Sequence, residues 1–262
     1  MIGNDIVDLE DPDARPETFR PRFDERVFDV AERRSIVRDA DPHMRRWAHW
    51  AAKEAGYKLG RQATEDFVFT PSRLVARFES IESEESGRTI RKGTLALPRS
   101  IAPGFGHLEL RSDETSERVH VLAAPPGADW DAITEATEIV SADADPSDRV
   151  RALARFMIAR DLGIEETRVA IGRRGDPRAG GAAKIPTALI DGARSGLVLS
   201  LSHHGRFVAC AMTLRSDPDA VPRGTRSGAA GSGAAGGGDM NGCEAMRRGW
   251  GSTSPAQNEV VG

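Results

Sequence analysis

The sequence predicts an α+β fold built from two halves and followed by a tail. Each half contains a segment with helical spacing and several apolar segments that are typical of strands. From about residue 217 the chain becomes rich in Gly, Ala and Ser, so this stretch cannot bury enough apolar surface to offset its ordering entropy. We therefore expect a first half over residues 1–90, a second half over residues 91–215 and a disordered tail over residues 216–262.

The first half opens with a strand and two helices. The segment "IGNDIVDL" has the composition of a short strand that runs into a turn. Residues 22–37 have helical spacing, which is carried by Phe23, Val27 and Val30. The next helix contains "WAAKEAGYK", in which small or apolar side chains recur every three to four residues. These side chains form its expected core face: Ala48, Ala52, Ala55 and Leu59.

Strands predominate in the rest of the chain before the tail. Residues 67–78 and the segments "GTLALP", "GHLELRS" and "RVHVLAA" are predicted to be strands. Pro146 opens a third helix, for which Gly163 is the expected stop. The side chains predicted for one face of this helix are Val150, Leu153, Phe156 and Met157. The segments "RVAIGR" and "LVLSLSHHGRFVACAMTL" then return to strand.

Charge and composition argue against several classes of protein. With 36 basic and 40 acidic residues the formal net charge is −4, which favours neither nucleic acid nor an anionic membrane surface as a partner. Cys210 and Cys243 have no ligand spacing, which argues against a disulfide framework or a zinc site. The first residues lack the pattern of a signal peptide, and no run approaches the roughly 18 apolar residues of a membrane span. We expect a cytoplasmic protein.

The first candidate site residues are charged. Glu54 and Lys58 in "WAAKEAGYK" lie one helical turn apart on the same face, an arrangement that is also common for a solvated ion pair. Asp5 in "GNDIVDL" adds a carboxylate, although an aspartate close to a glycine is often only a turn former. Two carboxylates with lysines alongside suit Mg²⁺ and a phosphate substrate, because Mg²⁺ takes one or two carboxylates and completes its shell with water and phosphate oxygens.

The segment "LSLSHHG" is the second candidate. It lacks the G-x-S-x-G pattern of a hydrolase nucleophile, so a Ser–His nucleophile is disfavoured. His203 and His204 are neighbours on a predicted strand and point to opposite faces, which disfavours metal binding by the pair. Two interpretations remain open: Ser202 and His203 make local hydrogen bonds at the end of a strand, or they bind phosphate.

Taken in order, "GNDIVDL", "RFDERVFDVAER", "WAAKEAGYK" and "LSLSHHGRFVACA" resemble the 4'-phosphopantetheinyl transferase superfamily. The resemblance implies the fold of that family and a Mg²⁺ and pyrophosphate site for coenzyme A. It implies that Asp5 and Glu54 bind the metal, that Lys53 and Lys58 bind the cofactor, and that Glu54 and Lys58 are catalytic.

The resemblance also covers the nucleotide end of coenzyme A. It implies contacts with Ser202 and His203, with His203 near the 3'-phosphate. The segment that holds the adenine side in the family is represented here by Lys184 and Pro186. Val7 stands where the larger enzymes of the family carry a second acid, which leaves the third metal ligand open.

The order of the motifs is that of holo-acyl-carrier-protein synthases, which are single-unit chains that form trimers. Here a long separation lies between residues 58 and 200, and residues 149–205 look like the N-terminal half of the larger two-unit transferases. We therefore expect a pseudo-dimer of two α+β halves, monomeric rather than trimeric, with the active site between its halves.

The reaction implied by the resemblance is transfer of the 4'-phosphopantetheine group from coenzyme A to a serine of an apo acyl- or peptidyl-carrier protein. Such a protein would need Mg²⁺ and would serve fatty-acid, polyketide or nonribosomal peptide synthesis. Two alternatives stay open at this point: a non-catalytic module that binds coenzyme A or a carrier protein, and another Mg²⁺-dependent enzyme that acts on phosphates. The absence of a G-x-x-x-x-G-K-[ST] loop argues against the common nucleotide hydrolases.

Overall fold

A computed structural model describes residues 1–64, 67–83, 87–97, 106–174 and 185–214 of the chain. Within these ranges the helices are α1 (Phe23–Val27), α2 (Val30–Arg38), α3 (Pro42–Ala63) and α4 (Pro146–Leu162). The strands are β1 (Gly3–Asp8), β2 (Val75–Ser83), β3 (Thr89–Ala96), β4 (His107–Glu114), β5 (Arg118–Ala124), β6 (Ile133–Ile139), β7 (Val169–Arg174), β8 (Ile185–Ile190), β9 (Ala193–Arg194), β10 (Leu197–His204) and β11 (Phe207–Leu214). This mixture of helices and sheets confirms the predicted α+β class. The predicted tail lies outside the described residues.

All strand pairs of the described residues are antiparallel, and they form three sheets. The largest sheet has the order β1-β5-β4-β3-β2, and the other two have the orders β10-β11-β6 and β7-β8-β9. Helix α3 packs on β1 and β5, and α4 packs on β7, β10 and β11. The β10-β11-β6 sheet lies against β1, so the edge strand of the large sheet is enclosed from two sides.

The sheets divide the chain later than the sequence analysis placed the division. Residue 90 falls inside β3, and β3, β4 and β5 pair in one sheet with β1 and β2. The chain leaves this sheet between β5 and β6. The first unit thus runs from β1 to β5 and the second unit from β6 to β11. Each begins with a strand that leads toward a helix and pairs with the last strand of the same unit, β1 with β5 and β6 with β11. The pseudo-dimer itself stays a prediction.

Two local predictions of secondary structure were wrong. Residues 22–37 form two helices rather than one, because Asp29 and Glu32 form a capping box that starts α2: the Asp29 side chain accepts from the Glu32 amide and the Glu32 side chain accepts from the Asp29 amide. Residues 67–74 are not strand. A short 3₁₀ turn begins at Pro71, and β2 starts only at Val75.

The helices around the motifs agree with the sequence. The core stripe predicted for α3 is completely buried: Ala48, Ala52, Ala55 and Leu59. Gly163 ends α4 in the left-handed conformation, with φ of 63°. Phe156, predicted for the apolar face of α4, is instead 55% exposed. None of the described helices is long and apolar enough to cross a membrane.

Candidate active site

Helix α3 approaches β1 most closely at Gly3. A Cβ atom at this position would lie 2.8 Å from the carbonyl carbon of Ala55 and 3.1 Å from the backbone nitrogen of Leu59. Both are backbone atoms of α3 and cannot rotate away. The glycine of the G-x-D pattern is therefore needed for the packing of the motif helix on the motif strand, two residues before Asp5.

The helix and the strand run alongside each other in a matched register. The side chain of Gln62 bonds to the backbone of Ile2, and Lys58, one turn earlier, donates to the carbonyl oxygen of Asn4 at 2.9 Å. Four residues of helix advance about 6 Å and two residues of strand about 6.7 Å, so every fourth residue of α3 stays level with every second residue of β1. Glu54, one further turn back, follows on the same stripe and is 2% exposed.

Asp5 is the point where the first unit and the second unit meet. Its side chain is completely buried, and its Oδ1 accepts from Lys58 Nζ at 2.9 Å and from Ser202 Oγ at 2.7 Å. Charge-assisted bonds of this kind hold a buried carboxylate in one orientation. The Lys58 side chain bonds to Asp5 and is 26% exposed, so it is in contact with both the buried carboxylate and solvent.

Side chains of β10 occupy the edge of β1 that does not pair with β5. The Ser202 hydroxyl accepts from the Ile6 amide at 3.2 Å, and the Ser200 hydroxyl accepts from the Asn4 amide at 2.8 Å. Successive even-numbered residues of β10 thus face successive even-numbered amides of β1. Buried amides need such partners, so side chains of the second unit supply the hydrogen-bond acceptors for the strand that carries Asp5.

The last β10 side chain that faces a β1 amide, His204, lies beside an ion pair. Nδ1 of His204 accepts from the Asp8 amide at 3.1 Å, and the Asp8 carboxylate accepts from Nε and Nη2 of Arg206, each at 2.9 Å. Burial favours a higher pKa of Asp8, but its hydrogen bonds with Arg206 outweigh burial and lower the pKa below the usual value. Gly205 lies directly over Asp8, where a Cβ would meet the carboxylate. Asp8 is therefore engaged by Arg206.

Two other residues predicted for the nucleotide end, His203 and Pro186, lie apart from this cluster. His203 is exposed and, by the alternation of β10, projects away from the face that carries Ser202. Pro186 lies on β8 and is half-buried; β8 belongs to another sheet and packs beside β10. Lys184 lies outside the described residues.

Lys53 is not brought to the cluster. Its ammonium is completely buried and donates to Glu32 Oε2 at 2.7 Å, to the Pro71 carbonyl oxygen at 3.0 Å and to the Leu74 carbonyl oxygen. Burial lowers the pKa of Lys53, and burial raises the pKa of Glu32. Its position beside Glu54 in the sequence is misleading, because adjacent helical residues point about 100° apart and Lys53 points toward α2 and the turn that precedes β2.

The donor chemistry of Asp5 and Glu54 fits Mg²⁺. Both are buried carboxylates on facing elements, and Mg²⁺ is commonly held by one or two carboxylates together with substrate phosphates. In the described part of the chain no group of three or more His, Cys, Asp or Glu side chains is arranged to hold a metal ion. Val7 is buried and apolar, so it adds no ligand.

Two side chains of this site, Gln62 and Ser200, escaped the sequence analysis, which considered a third, His204, only as a metal ligand. Gln62 continues the spacing of Glu54 and Lys58 by one more turn, which is a readable signal on a helix. Ser200 and His204 flank Ser202 at intervals of two, the repeat of one face of a strand. The sequence contains these spacings, but only the packing of β10 against β1 brings these side chains to their partners.

The comparison with models of protein families agrees with the motifs. The family model of the 4'-phosphopantetheinyl transferase superfamily (ACPS) matches residues 1–109. Among solved structures, holo-acyl-carrier-protein synthase (AcpS) of Thermotoga maritima is similar at 15% identity and a TM-score of 0.31, with 71% of this chain and 83% of that chain covered. A search of curated proteins gives no match. The family model supports the resemblance found in the sequence, because residues 1–109 of this chain match the model of the 4'-phosphopantetheinyl transferase superfamily.

Proposed function

We propose that this protein transfers the 4'-phosphopantetheine group of coenzyme A to a serine of an apo acyl- or peptidyl-carrier protein. The observation that carries the proposal is the meeting of Asp5, Lys58 and Ser202, which are joined by hydrogen bonds of 2.7 and 2.9 Å. Glu54 lies one helical turn before Lys58 on α3. These residues come from the two motifs of the matched region and from the "SLSHHG" segment beyond it. The superfamily match supports a transferase.

The proposed reaction is a displacement at phosphorus. The serine oxygen of the carrier forms a bond to the β-phosphorus of coenzyme A, and the bond from that phosphorus to the bridging oxygen breaks. Adenosine 3',5'-bisphosphate leaves with the electron pair of that bond. Such a reaction depends mainly on positioning and on the stabilisation of charge at the phosphate oxygens.

Each residue of the cluster has a distinct proposed role. Asp5 and Glu54 would hold Mg²⁺, which when bound neutralises charge on the pyrophosphate oxygens. Glu54 also accepts the proton of the attacking serine, directly or through one water. Lys58, held by Asp5 and partly exposed, donates to a phosphate oxygen of the leaving group. Ser202 fixes the orientation of Asp5 through its hydroxyl.

The remaining predicted contacts stay proposals of different kinds. His203, exposed on β10, is proposed to meet the 3'-phosphate at the rim of the site, and Lys184 and Pro186 to line the adenine side. For Lys53 we propose a structural role instead of a phosphate contact, because its ammonium is enclosed by Glu32 and two carbonyl oxygens. We retain the proposal of a monomeric pseudo-dimer; an obligate trimer in sedimentation would contradict it.

Intact-mass spectrometry of the carrier tests the function. Apo acyl-carrier and peptidyl-carrier proteins are incubated with coenzyme A, Mg²⁺ and the wild-type protein, the Glu54→Gln variant or the Glu165→Gln variant. Glu165 is exposed and makes no side-chain cap bond, so it serves as the matched control. We expect one added phosphopantetheine with wild type and Glu165→Gln, and none or at least about 100-fold slower addition with Glu54→Gln.

The other outcomes separate the alternatives. If coenzyme A binds but no carrier gains mass, the protein is a binding module. If coenzyme A or a nucleotide is hydrolysed without a carrier, the protein is another phosphate-handling enzyme. The carrier that is modified at the highest rate also identifies the pathway, whether fatty-acid, polyketide or peptide synthesis.

A further inference from the structure

One carboxamide, that of Gln62, bonds to three backbone groups: two of Ile2, which immediately precedes β1, and one of Leu199 on β10. Its Nε2 donates to the carbonyl oxygen of Ile2 at 2.7 Å and to the carbonyl oxygen of Leu199 at 3.2 Å. Its Oε1 accepts from the amide of Ile2 at 3.2 Å. The amide donor faces two acceptors and the oxygen faces a donor, so the partners themselves fix the orientation of the carboxamide. Gln62 thereby joins α3, β1 and β10.

This position matters because β1 pairs with only one strand. Its ladder runs to β5, and its other edge is held by side chains from α3 and β10. Ile2 is completely buried, so its amide and carbonyl oxygen would lose their partners if Gln62 were removed. The carboxamide contacts no backbone of its own helix among these bonds, and the end of α3 is closed separately by the Thr64 amide and the Gly60 carbonyl oxygen. Gln62 is therefore a clamp between elements and not a cap of α3.

The clamp sets the register on which the candidate site depends. Gln62, Lys58 and Glu54 are spaced by four residues on α3, and the first two contact β1 at Ile2 and Asn4. A shift of β1 along the helix at Ile2 is passed on to Asp5 three residues later, because a strand is extended and stiff. A displacement of about 1 Å between catalytic groups is enough to cost about 100-fold in rate.

We propose that Gln62 is a positioning residue of the transfer reaction, which fixes β1 so that Asp5 stays opposite Glu54 and Lys58. This inference rests on the proposed function. It assigns a role to a residue outside the motif lysines and acids. It also makes a statement that can be tested on the protein without substrate: Gln62 protects the start of the β1 edge that faces away from β5.

The test uses the Gln62→Met variant, which keeps the length of the side chain and removes both polar atoms. The control is Ala63→Ser, a change at the exposed neighbouring position at the end of α3. Hydrogen exchange of the amides of Ile2 and of β1 up to Ile6 is measured first, with the amides of α4 as the internal reference. We expect at least about 10-fold faster exchange of the β1 amides in Gln62→Met, with no change at α4 and none in Ala63→Ser.

Steady-state kinetics then test the link to the reaction, at a temperature where the variant is folded. We expect kcat to fall about 10-fold or more while KM for coenzyme A stays within about 2-fold, because the clamp moves catalytic groups without removing a substrate contact. Unchanged exchange at β1 overturns the clamp. Faster exchange with an unchanged kcat overturns the positioning role. If the wild type modifies no carrier, the proposed function fails, and the exchange comparison still decides whether Gln62 holds β1.

Discussion

The substitution Gly3→Ala tests how α3 and β1 create the candidate site. The added methyl group would lie 2.8 Å from the Ala55 carbonyl carbon and closer still to the carbonyl oxygen. Ordinary contact begins at about 3.4 Å, and the atoms involved are backbone, so helix and strand must separate by about 1 Å or more. The bond between Lys58 and Asp5, now 2.9 Å, would lengthen with them.

Two effects follow from this separation. Overpacking costs about 1–3 kcal/mol, which corresponds to a fall in Tm of roughly 2–12 °C for a chain of this size. A misplacement of about 1 Å between Asp5 and Glu54 lowers kcat by about 100-fold. Thermal unfolding followed by circular dichroism and the rate of carrier modification measure the two effects separately.

A matched substitution distinguishes these effects from a general cost of replacing glycine. Gly106 has an ordinary φ and no heavy atom within 4 Å of a built Cβ, so Gly106→Ala meets no obstacle. We expect this variant to keep the wild-type rate and to be neutral or slightly more stable, because alanine restricts the unfolded chain. Wild-type Tm and rate in Gly3→Ala would refute the close approach of α3 to β1 and the reasoning built on it.

Three further predictions concern the side chains around the site. Lys53→Met should lower the free energy of unfolding by about 3–5 kcal/mol, because it leaves Glu32 buried without its cation. The double variant Lys53→Met with Glu32→Gln should regain much of this stability and keep the transfer rate. Loss of transfer in a folded double variant would instead indicate that Lys53 contacts a phosphate. Asp8 has a lowered pKa, so its pairing with Arg206 stabilises the fold above the unfolded pKa of about 3.9 and is lost as the pH falls through the lower folded pKa. Arg206→Met should therefore be less stable than wild type at pH 5–7, with a difference in Tm that shrinks toward pH 2; a constant difference would contradict this. Ser202→Ala removes a donor to Asp5 and an acceptor for a β1 amide, so we expect a loss of about 1–3 kcal/mol in urea unfolding together with slower transfer, and an unchanged rate would argue against an orienting role.

Some features of the fold could be predicted because they depend on neighbours along the chain. The core stripe of α3 follows from helical spacing, and the stop at Gly163 follows from the left-handed conformation that glycine adopts without strain. The prediction of a single helix at residues 22–37 was wrong for a reason that also lies in the local sequence. The capping box of Asp29 and Glu32 has a sequence signature that competes with the apolar spacing through Val27 and Val30, and it determines where α2 begins.

The sequence by itself determined the family resemblance, the α+β class and the motif residues Asp5, Glu54, Lys58 and Ser202. The tertiary structure decided which of the motif side chains meet. It joined Asp5 to Lys58 and Ser202 and turned Lys53 toward Glu32.

The physical reason is the distance along the chain between the partners. A hydrogen bond between residues 5 and 202 depends on how two sheets pack, and no periodicity within either segment encodes that packing. Burial then fixes the outcome, because a buried carboxylate or amide must find partners within hydrogen-bonding distance. Gln62 and Ser200 have their roles only because β1 presents an edge that another strand does not pair, and that edge exists only in the assembled fold.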